Sequence, residues 1–514
     1  MLTRNVRDAV RLRPGGPLAW PAGRALLSMS VPLGALLALG RLDLLPGAVF
    51  GALTSVHCRA EPHPRQARTL GVVAAGMVAA VLTGQLIAAS TGGQPWHEPL
   101  AMLATALGGA IATAAATAVK IGPPGGLIFS FAIGACAHLP LRPGDLGVHV
   151  LVTALSAGFA WAVTTAGGVI GGLAPHRRVV AAALEATAQA VEGLADLGRR
   201  HRAAVAIETA WNTAAVVSPR HRDGARHREL VRAVAACEDV LSSGETPFDL
   251  RAAARDLRAG KPFPAGPEVA APPPPESRWR IIRGVLAAAL RPHRVRSWIV
   301  PYALRVGLAA LVAGMAADLL GIGHAYWAAV SAVSIMQATS TATSVPRMLQ
   351  RVSGTVVGVL IGVAMLSAEP PVWVLIALLA ALQWGAEMTV TVNYAFGLAF
   401  ATPVALLVSA IGTPTEPGAL GWSRFLATLL GAAIAVLVAW ALPHGPWLER
   451  VHAAMRRVRD LTDREPLQPD RLRAALVELH EAHDTAAGEV DPRRLPTEEL
   501  LDLSRAAYAR LDRV

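Results

Sequence analysis

Twelve apolar segments, grouped as two clusters of six, limit the fold of this chain more than any other feature of its sequence. The first cluster lies at about 20–42, 44–58, 69–90, 98–119, 124–140 and 147–173, and the second at about 298–319, 324–338, 350–368, 371–390, 393–411 and 422–443. An apolar helix of roughly 17–25 residues crosses the hydrocarbon core of a membrane. The sequence therefore predicts an all-α polytopic membrane protein with two six-helix transmembrane repeats and 12 spans.

The composition agrees with a membrane protein and argues against a nucleic-acid partner. Of the 514 residues, 53% are hydrophobic and only 16% are charged, and the mean hydropathy is +0.43. Soluble globular proteins are usually about 25% charged. The formal net charge of +11 is spread over the N-terminus, alternate loops and two hydrophilic regions. This distribution is typical of a membrane protein rather than of a basic domain that binds nucleic acid.

The arginines in the loops predict the orientation of the chain. They follow spans two, six and twelve and precede spans seven and nine, whereas the loop STGGQPWHEP after span three contains neither Lys nor Arg. Because basic residues concentrate on the cytoplasmic side, we expect a multi-pass protein of the plasma (bacterial inner) membrane with both termini cytoplasmic. Arg41, Arg142 and Arg424 are isolated exceptions on the predicted outer side. The first apolar run lacks a convincing cleavage site, so it is interpreted as an uncleaved span.

Two hydrophilic regions divide the chain into four parts. Residues 1–174 form the predicted first transmembrane half, and 175–277 form a predicted helical cytosolic domain that ends in the linker KPFPAGPEVAAPPPPES. Residues 278–445 begin with a basic amphipathic stretch, predicted to lie on the inner leaflet, and continue as the second transmembrane half. Residues 446–514 are predicted to form a C-terminal helical cytosolic region.

The two halves also resemble each other in sequence. The stretch LTSVHCRAEPHPRQARTLGVV (53–73) parallels VSAVSIMQATSTATSVPRMLQRVSGTVV (330–357), since each passes from small and hydroxyl residues through a polar loop to Arg68 or Arg351 and then to a glycine. With six spans each, both halves run the same way through the membrane. We therefore predict a parallel repeat about an axis near the membrane normal, with a central pathway between the halves.

The main candidate substrate-binding residues are arginines of the second half. Arg305 lies about seven residues into span seven, where a charge is costly unless it faces protein or water; the alternative is that it extends to the membrane interface. Arg347 and Arg351 share a helix face and follow the run TSTATS and Pro346. A helix that starts at this proline would aim its free N–H groups at a polar pocket, which predicts an anion-binding vestibule. The alternative for the pair is ordinary positive-inside anchoring.

Further candidates come from the first half and from the ends of spans. Their residues are Arg65 and Arg68, the predicted counterparts of Arg347 and Arg351, together with Tyr326, Trp327, Glu387 and Asn393. The two aromatic residues belong either to the interface belt, which we favour, or to a surface that stacks on a ring-bearing substrate. Glu387 either pairs with an arginine, which we favour, or carries a coupling proton.

Glycines and cysteines point to packing rather than to chemistry. Gly354, Gly358 and Gly362 form GxxxGxxxG, which predicts close helix packing. The three cysteines are far apart in the sequence, HEAH (480–483) lacks the spacing of HExxH, and neither a P-loop nor a nucleophile elbow is present. The sequence therefore predicts no metal site, no cofactor and no enzyme.

The segment HAYWAAVSAVSIMQATSTATSVPRMLQRVSGTVVGVLIG resembles the signature of the fusaric-acid-resistance (FUSC-like) family within the aromatic acid exporter superfamily. The shared features are a Tyr-Trp pair at a span start, a Ser/Thr-rich loop, and an Arg followed by Gly-Thr and another Gly. NYAFGLAFATP (393–403) is similar to a later span of that family. The order of six spans, cytosolic domain, six spans and tail also matches. The first half departs from the pattern, with Phe50 where Tyr-Trp would stand.

The resemblance implies export of aromatic or other weak organic acids, driven by the proton gradient. Arg305, Arg347 and Arg351 would attract the carboxylate, and Tyr326 and Trp327 would pack on the ring. An organic-anion channel of the same architecture and a non-transporting envelope scaffold stay open as alternatives. The expected partners are membrane lipid and a small organic anion; a homodimer and a periplasmic adaptor protein, both found among relatives, stay open.

Overall fold

The structure is a computed structural model that describes residues 10, 19–58, 63–119, 121–170, 173–193, 197–215, 224–264, 299–337, 341–412, 415–442, 447–487 and 495–511. For residues 63–65, 167–170, 197, 341–344, 411–412, 447 and 484–485 it describes the backbone alone. The described residues contain helices and no strand. They fall into two compact units, a membrane unit (Met1–Ala60, Ala67–Ala166 and Arg278–Pro443) and a helical unit (Glu61–Gln66, Gly167–Ser277 and His444–Val514).

Nineteen α-helices are described. They are α1 (Ala19–Ala38), α2 (Leu45–Ala52), α3 (His63–Thr91), α4 (His97–Ala118), α5 (Leu127–Ala137), α6 (Leu146–Ile170), α7 (Ala174–Val191), α8 (Leu197–Ala214), α9 (Ala225–Ser243), α10 (Leu250–Arg258), α11 (Ile299–Leu319), α12 (Tyr326–Met336), α13 (Thr341–Ser367), α14 (Val372–Thr389), α15 (Tyr394–Gly412), α16 (Pro417–Ala441), α17 (Trp447–Thr462), α18 (Pro469–Ala487) and α19 (Thr497–Leu511). Short 3-10 helices flank α2 (Leu42–Leu44 and Leu53–Val56) and precede α6 (Pro143–Asp145). The predicted all-α polytopic fold is confirmed.

The twelve helices of the membrane unit are of two kinds. Eight, namely α1, α3, α4, α6, α11, α13, α14 and α16, are long and apolar enough to cross a membrane. The apolar stretches at α2, α5, α12 and α15 are shorter; α5 and α12 have only 11 residues and are therefore about 16 Å long. The spans predicted at 44–58, 124–140 and 324–338 are thus short helices instead, whereas α15 has 19 residues and matches the span predicted at 393–411. The four shorter apolar stretches occupy the second and fifth positions of both halves, which supports the predicted repeat.

Contacts between the halves follow the same symmetry. Helix α11 packs on α4, and the corresponding pair α1 and α14 packs together as well. The short helices behave likewise, because α12 contacts α5 and α15 contacts α2. Each pair is converted into the other when the two halves are exchanged. The membrane unit is therefore a pseudo-twofold arrangement of two six-helix halves.

Glycines set the close contacts inside each half. A Cβ atom on Gly354 would collide with the Ala395 carbonyl of α15, and one on Gly358 would lie 2.6 Å from the Thr402 Cβ. In the first half, a Cβ on Gly84 would lie 2.5 Å from the Ile133 carbonyl oxygen of α5. The third and fifth helices of each half therefore pack backbone against backbone. The packing role predicted for the GxxxGxxxG pattern is confirmed.

The helical unit combines the two hydrophilic regions that the sequence separates. Residues of α7–α10 and α17–α19 share one hydrophobic core. Arg473 of α18 reaches into it and pairs with the buried Glu238 of α9 (Nε–Oε1 2.6 Å), while its guanidinium lies 4.3 Å from the centre of the Trp211 ring. The predicted linker beyond residue 264 and the interfacial stretch 278–296 lie outside the described residues.

Candidate anion-binding site

The short helix α12 is buried along its whole length inside the membrane unit. All 11 residues from Tyr326 to Met336 are buried, in contact with α4 and α5 of the first half and with α11, α13 and α16 of the second. The sequence YWAAVSAVSIM is rich in small residues, and Gly431 of α16 allows that helix to touch the α12 backbone at Ala328. Polar groups that are buried against α12 are therefore screened from bulk water.

Three arginines, Arg424, Arg351 and Arg347, face α12, and we term them the arginine ladder. The guanidinium carbon of Arg424, on α16, lies 4.9 Å from the centre of the Trp327 ring, a distance at which a cation is attracted to the ring face. Arg351, on α13, donates from Nη2 to the Ser331 hydroxyl at 3.3 Å. Two positive charges thus lie one helical turn apart along α12.

The third position of the ladder lies another turn along. Arg347 donates from Nε to the Ser334 carbonyl at 2.8 Å, and its guanidinium lies 4.7 Å from the centre of the Tyr394 ring. The Tyr394 hydroxyl accepts from Arg351 Nη1 at 3.2 Å. Positions 327, 331 and 334 lie on one face of α12, so the ladder extends over about 10 Å of the helix axis. The shared face predicted for Arg347 and Arg351 is confirmed.

The two most deeply buried arginines of the ladder, Arg351 and Arg424, have no acidic partner among the described residues. Arg351 is 2% exposed and Arg424 is 4% exposed, and neither forms an ion pair with a described carboxylate. The Nε atom of Arg351 and the Nε and Nη1 atoms of Arg424 make no hydrogen bond within the described part of the chain. Because buried charges are costly unless they are paired, these arginines offer charge and free N–H donors to an anionic ligand.

Tyr326 extends the polar groups beyond the ladder, towards the predicted outer end. Its hydroxyl lies 3.2 Å from the Ser409 hydroxyl, and its ring stacks on Phe131 of α5 at 6.3 Å and lies 5.2 Å from the His138 ring. Tyr326 is 2% exposed and Trp327 is fully buried. The interface-belt interpretation of this pair is therefore wrong, because both rings pack inside the bundle rather than against lipid.

Arg305, on α11, contacts the C-terminal end of α16 rather than the face of α12 that the ladder contacts. It is buried, and its Nη2 donates to the Ala439 carbonyl at 2.5 Å, two residues before α16 ends at Ala441. The last carbonyls of a helix lack intrahelical partners, and the helix dipole favours a cation there. The alternative that Arg305 extends to the interface is wrong; its role in substrate binding stays a prediction.

The two polar candidates at the ends of α14 and α15 have different environments. Asn393 caps α15, since its Oδ1 accepts from the Ala395 N–H at 2.8 Å and its carbonyl accepts from the Gly397 N–H. Glu387 is buried in the last turn of α14. Whether Glu387 pairs or carries a coupling proton stays a prediction.

The predicted vestibule is only partly within reach of the structure. Residues 338–340 and the side chains of 341–344 lie outside the described residues, as does the side chain of Arg65. Helix α13 begins at Thr341, so Pro346 lies inside the helix and the predicted start at this proline is wrong. A proline there removes one hydrogen bond near the helix start, which a long helix tolerates. Arg68, the predicted counterpart of Arg351, is exposed on α3.

Arg424 is the ladder residue that sequence reasoning did not select. The predicted span began at 422, which placed Arg424 at the membrane edge. Helix α16 begins earlier, at Pro417, because the Glu416 carboxylate caps the N–H groups of Gly418 and Ala419 at 2.9 and 2.6 Å. Arg424 therefore lies about two turns inside the helix. The Glu-Pro pair is a helix-start signal that could have corrected the boundary.

Comparison with known proteins finds a family match over the part of the chain that contains the ladder. Residues 311–438 match the family described as fusaric acid resistance protein-like, and this segment contains all three ladder arginines. The chain is also 30% identical over 200 residues to the uncharacterized membrane protein YvaC of Bacillus subtilis (strain 168), a match that covers 36% of this chain and only 31% of that protein. No solved structure matches the chain significantly. The resemblance found in the sequence is confirmed: this is a membrane protein that matches the fusaric acid resistance protein-like family over residues 311–438, which make up most of its second transmembrane half.

Proposed function

We propose that this chain exports aromatic or other weak organic acids across the plasma (bacterial inner) membrane, with the arginine ladder holding the carboxylate. In this proposal both termini are cytoplasmic and the proton gradient drives export. The match to the fusaric acid resistance protein-like family supports a transporter of this kind. The observation that carries the proposal is the pair Arg351 and Arg424, buried without a described acidic partner.

The ladder suits a carboxylate better than a neutral solute. A hydrogen bond to a charged group contributes about 1.5–3 kcal/mol. Arg351 and Arg424 face adjacent turns of α12, so both can donate to one anion. Their positive charges repel each other in a medium of low dielectric. An anion between them relieves this repulsion and satisfies the free N–H donors at the same time, whereas an uncharged molecule provides no counter-charge.

The aromatic residues beside the ladder favour a substrate with a ring. Trp327 lies against Arg424, Tyr394 lies against Arg347, and Tyr326 adjoins Trp327 with ring centres 5.6 Å apart. The His324 ring now stacks on Trp327 at 4.7 Å; in this proposal the ring of an aromatic acid takes such a stacking position while its carboxylate faces a guanidinium. Arg351 and Trp327 are almost completely buried, so the ladder is closed in this structure. A substrate reaches it only when the halves or their helices move, as in alternating access.

The test is transport by the purified protein in liposomes loaded with radiolabelled 4-hydroxybenzoate. We expect efflux that accelerates with a pH gradient, and we expect Arg424→Gln to reduce it at least about tenfold, the loss of roughly one charged hydrogen bond. Arg68→Gln is the matched control, because Arg68 is exposed on the first half, and it should transport as the wild type does. Each variant is first checked for a monodisperse profile in detergent.

Three outcomes would contradict the proposal in different ways. If liposomes with the wild-type protein and liposomes without protein release several aromatic and aliphatic acids equally fast, the protein is not an exporter of these acids, and the envelope scaffold is favoured. Anion currents that follow voltage and ignore the pH gradient favour the channel alternative. If Arg424→Gln transports as fast as the wild type does, the ladder does not bind the substrate.

A further inference from the structure

A second cluster of polar side chains lies at the predicted outer end of the first half. His97 and Glu98 begin α4, and His138 directly follows α5. One nitrogen from each imidazole and one carboxylate oxygen all lie within 4.8 Å of one another. The three side chains are partly buried, and the His138 Nε2 atom is 3.0 Å from a Glu98 oxygen. The positions 97 and 138 are 41 residues apart, so no local motif announces this cluster.

The tautomer of the neutral His138 ring is fixed by its neighbours. Its Nδ1 atom lies 2.7 Å from the Gly134 carbonyl oxygen, which can only accept, so Nδ1 carries the proton. In the neutral ring, Nε2 therefore carries a lone pair that points at both oxygens of Glu98, at 3.1 and 3.0 Å. A second ring proton on Nε2 makes this contact an ion pair with Glu98, and a metal ion that binds both groups would replace that proton.

His97 is held in the matching orientation. Its Nδ1 atom lies 2.7 Å from the Thr91 hydroxyl, and that hydroxyl donates its one hydrogen to the Ile87 carbonyl at 2.7 Å. The hydroxyl can therefore only accept from His97, so Nδ1 carries the proton and Nε2 is left with the lone pair. Ligating histidines in metalloproteins typically donate their second ring N–H in this way, which fixes the ring and its tautomer.

We propose that His97, Glu98 and His138 bind a zinc ion. Two imidazoles and one carboxylate form a common ligand set for zinc with an open fourth position, which water fills. Tetrahedral bonds of about 2.0–2.1 Å hold ligand atoms about 3.4 Å apart. The separations in the cluster, which are at most 4.8 Å, then shorten by up to about 1.4 Å through side-chain rotation. The supporting hydrogen bonds from the two imidazole N–H groups to the Thr91 hydroxyl and the Gly134 carbonyl are already formed.

The site adjoins the substrate-binding residues of the second half. The His138 ring lies 5.2 Å from the Tyr326 ring, and Tyr326 precedes Trp327 of the ladder contact. A zinc ion would tie the end of α5 to the start of α4 and hold His138 against Tyr326 in this closed arrangement. We therefore expect zinc to slow transport; this effect rests on the proposed function, whereas zinc binding does not.

The experiment measures zinc binding to the purified full-length chain, prepared with an affinity tag that contains no histidine. We expect calorimetry to give one high-affinity zinc ion per chain. The same preparation loaded with Co²⁺ should give the visible absorption of a tetrahedral site with nitrogen and oxygen ligands. Glu98→Gln and His138→Ala should each weaken zinc affinity at least about tenfold, the range seen for changed metal sites. His452→Ala is the control, because His452 is exposed in the helical unit, and it should bind as the wild type does.

Binding and transport are read separately, so the two proposals fail separately. The zinc site is overturned if the wild type binds no zinc below millimolar concentration, or if His138→Ala binds it unchanged while eluting as a monodisperse species. Zinc binding in a chain that transports no acid upholds this site and removes only the proposed function. Zinc that binds and leaves transport unchanged overturns the expected inhibition.

Discussion

The second helix of each half packs against Phe131 of α5 and against the sixth helix of its own half, but the side chains at these contacts differ. In the first half, Phe50 of α2 lies edge-on to Phe131 at 5.1 Å, and the contact of α2 with α6 is completed by the Ser156 hydroxyl, which donates to the Ala48 carbonyl at 2.7 Å. In the second half, Tyr326 of α12 stacks on Phe131 as well. The contact of α12 with α16, however, places Arg424 over the Trp327 ring.

The third helices differ in the same sense. Arg68 of α3 is exposed, whereas Arg351 of α13 is 2% exposed and bonds to α12. The helix order, the short second helix and the glycine contacts are common to both halves. The two halves therefore share one helix scaffold. The buried positive charge is concentrated in the second half, which contains the family match at residues 311–438.

The largest expected effect comes from reversing a charge at equivalent positions. Arg351→Glu places a carboxylate where the substrate carboxylate binds, and like charges placed together cost several kcal/mol. We expect the rate of 4-hydroxybenzoate transport in liposomes to fall at least about a hundredfold. Arg68→Glu should change it less than about twofold, since exposed charges contribute little. Similar losses in both variants would show that the first half contributes to the same site.

A smaller effect tests what the halves share. Gly354→Val and Gly84→Val each force a side chain against the backbone of the fifth helix of their half. Overpacking of this kind costs about 1–3 kcal/mol, so both variants should lower the melting temperature in detergent by a similar amount. If one variant melts as the wild type does, the glycine contact of that half is not part of the scaffold.

The smallest effect concerns the start of the fifth helix. In the second half Asn393 caps α15, whereas in the first half α5 starts after Gly126 with no side-chain cap. Asn393→Ala should cost about 1 kcal/mol of stability, and Asn393→Gly, which copies the first half, only a few tenths. Transport should follow stability in both variants. A large loss of transport in the more stable Asn393→Gly would instead assign Asn393 to the substrate or coupling path.

Much of the fold follows from the sequence, because a membrane restricts a chain to few structures. The twelve apolar segments all become helices at the predicted places, and the internal repeat is reproduced in the helix pairs. The short helices α5 and α12 were predicted as longer segments, 124–140 and 324–338. Hydropathy cannot separate a helix from the apolar loop beside it, and the boundary is set instead by turns such as the one at His324, whose φ is +57°.

The site was less accessible to sequence reasoning. Arg347 and Arg351 stand out because they are four apart beside a polar run, and the structure brings both to α12. Arg424 could not be joined to them by spacing, since it is 73 residues from Arg351 and contacts α12 only through tertiary packing. The same limit hid His97, Glu98 and His138. The positive-inside rule predicts which residues lie in which loops, whereas the burial of a side chain and its contact partners depend on how the helices pack together.

The most direct test of the central claim is a crystal structure with a bound heavy-atom substrate. Crystals soaked in 4-iodobenzoate locate the iodine by its anomalous scattering. We predict a peak beside the ladder, with the carboxylate between Arg351 and Arg424, and no peak at the equivalent place beside Phe50 and Arg68 in the first half. An empty ladder with iodobenzoate bound in the first half would contradict the account, as would a ladder whose arginines are already paired with carboxylates of the chain itself.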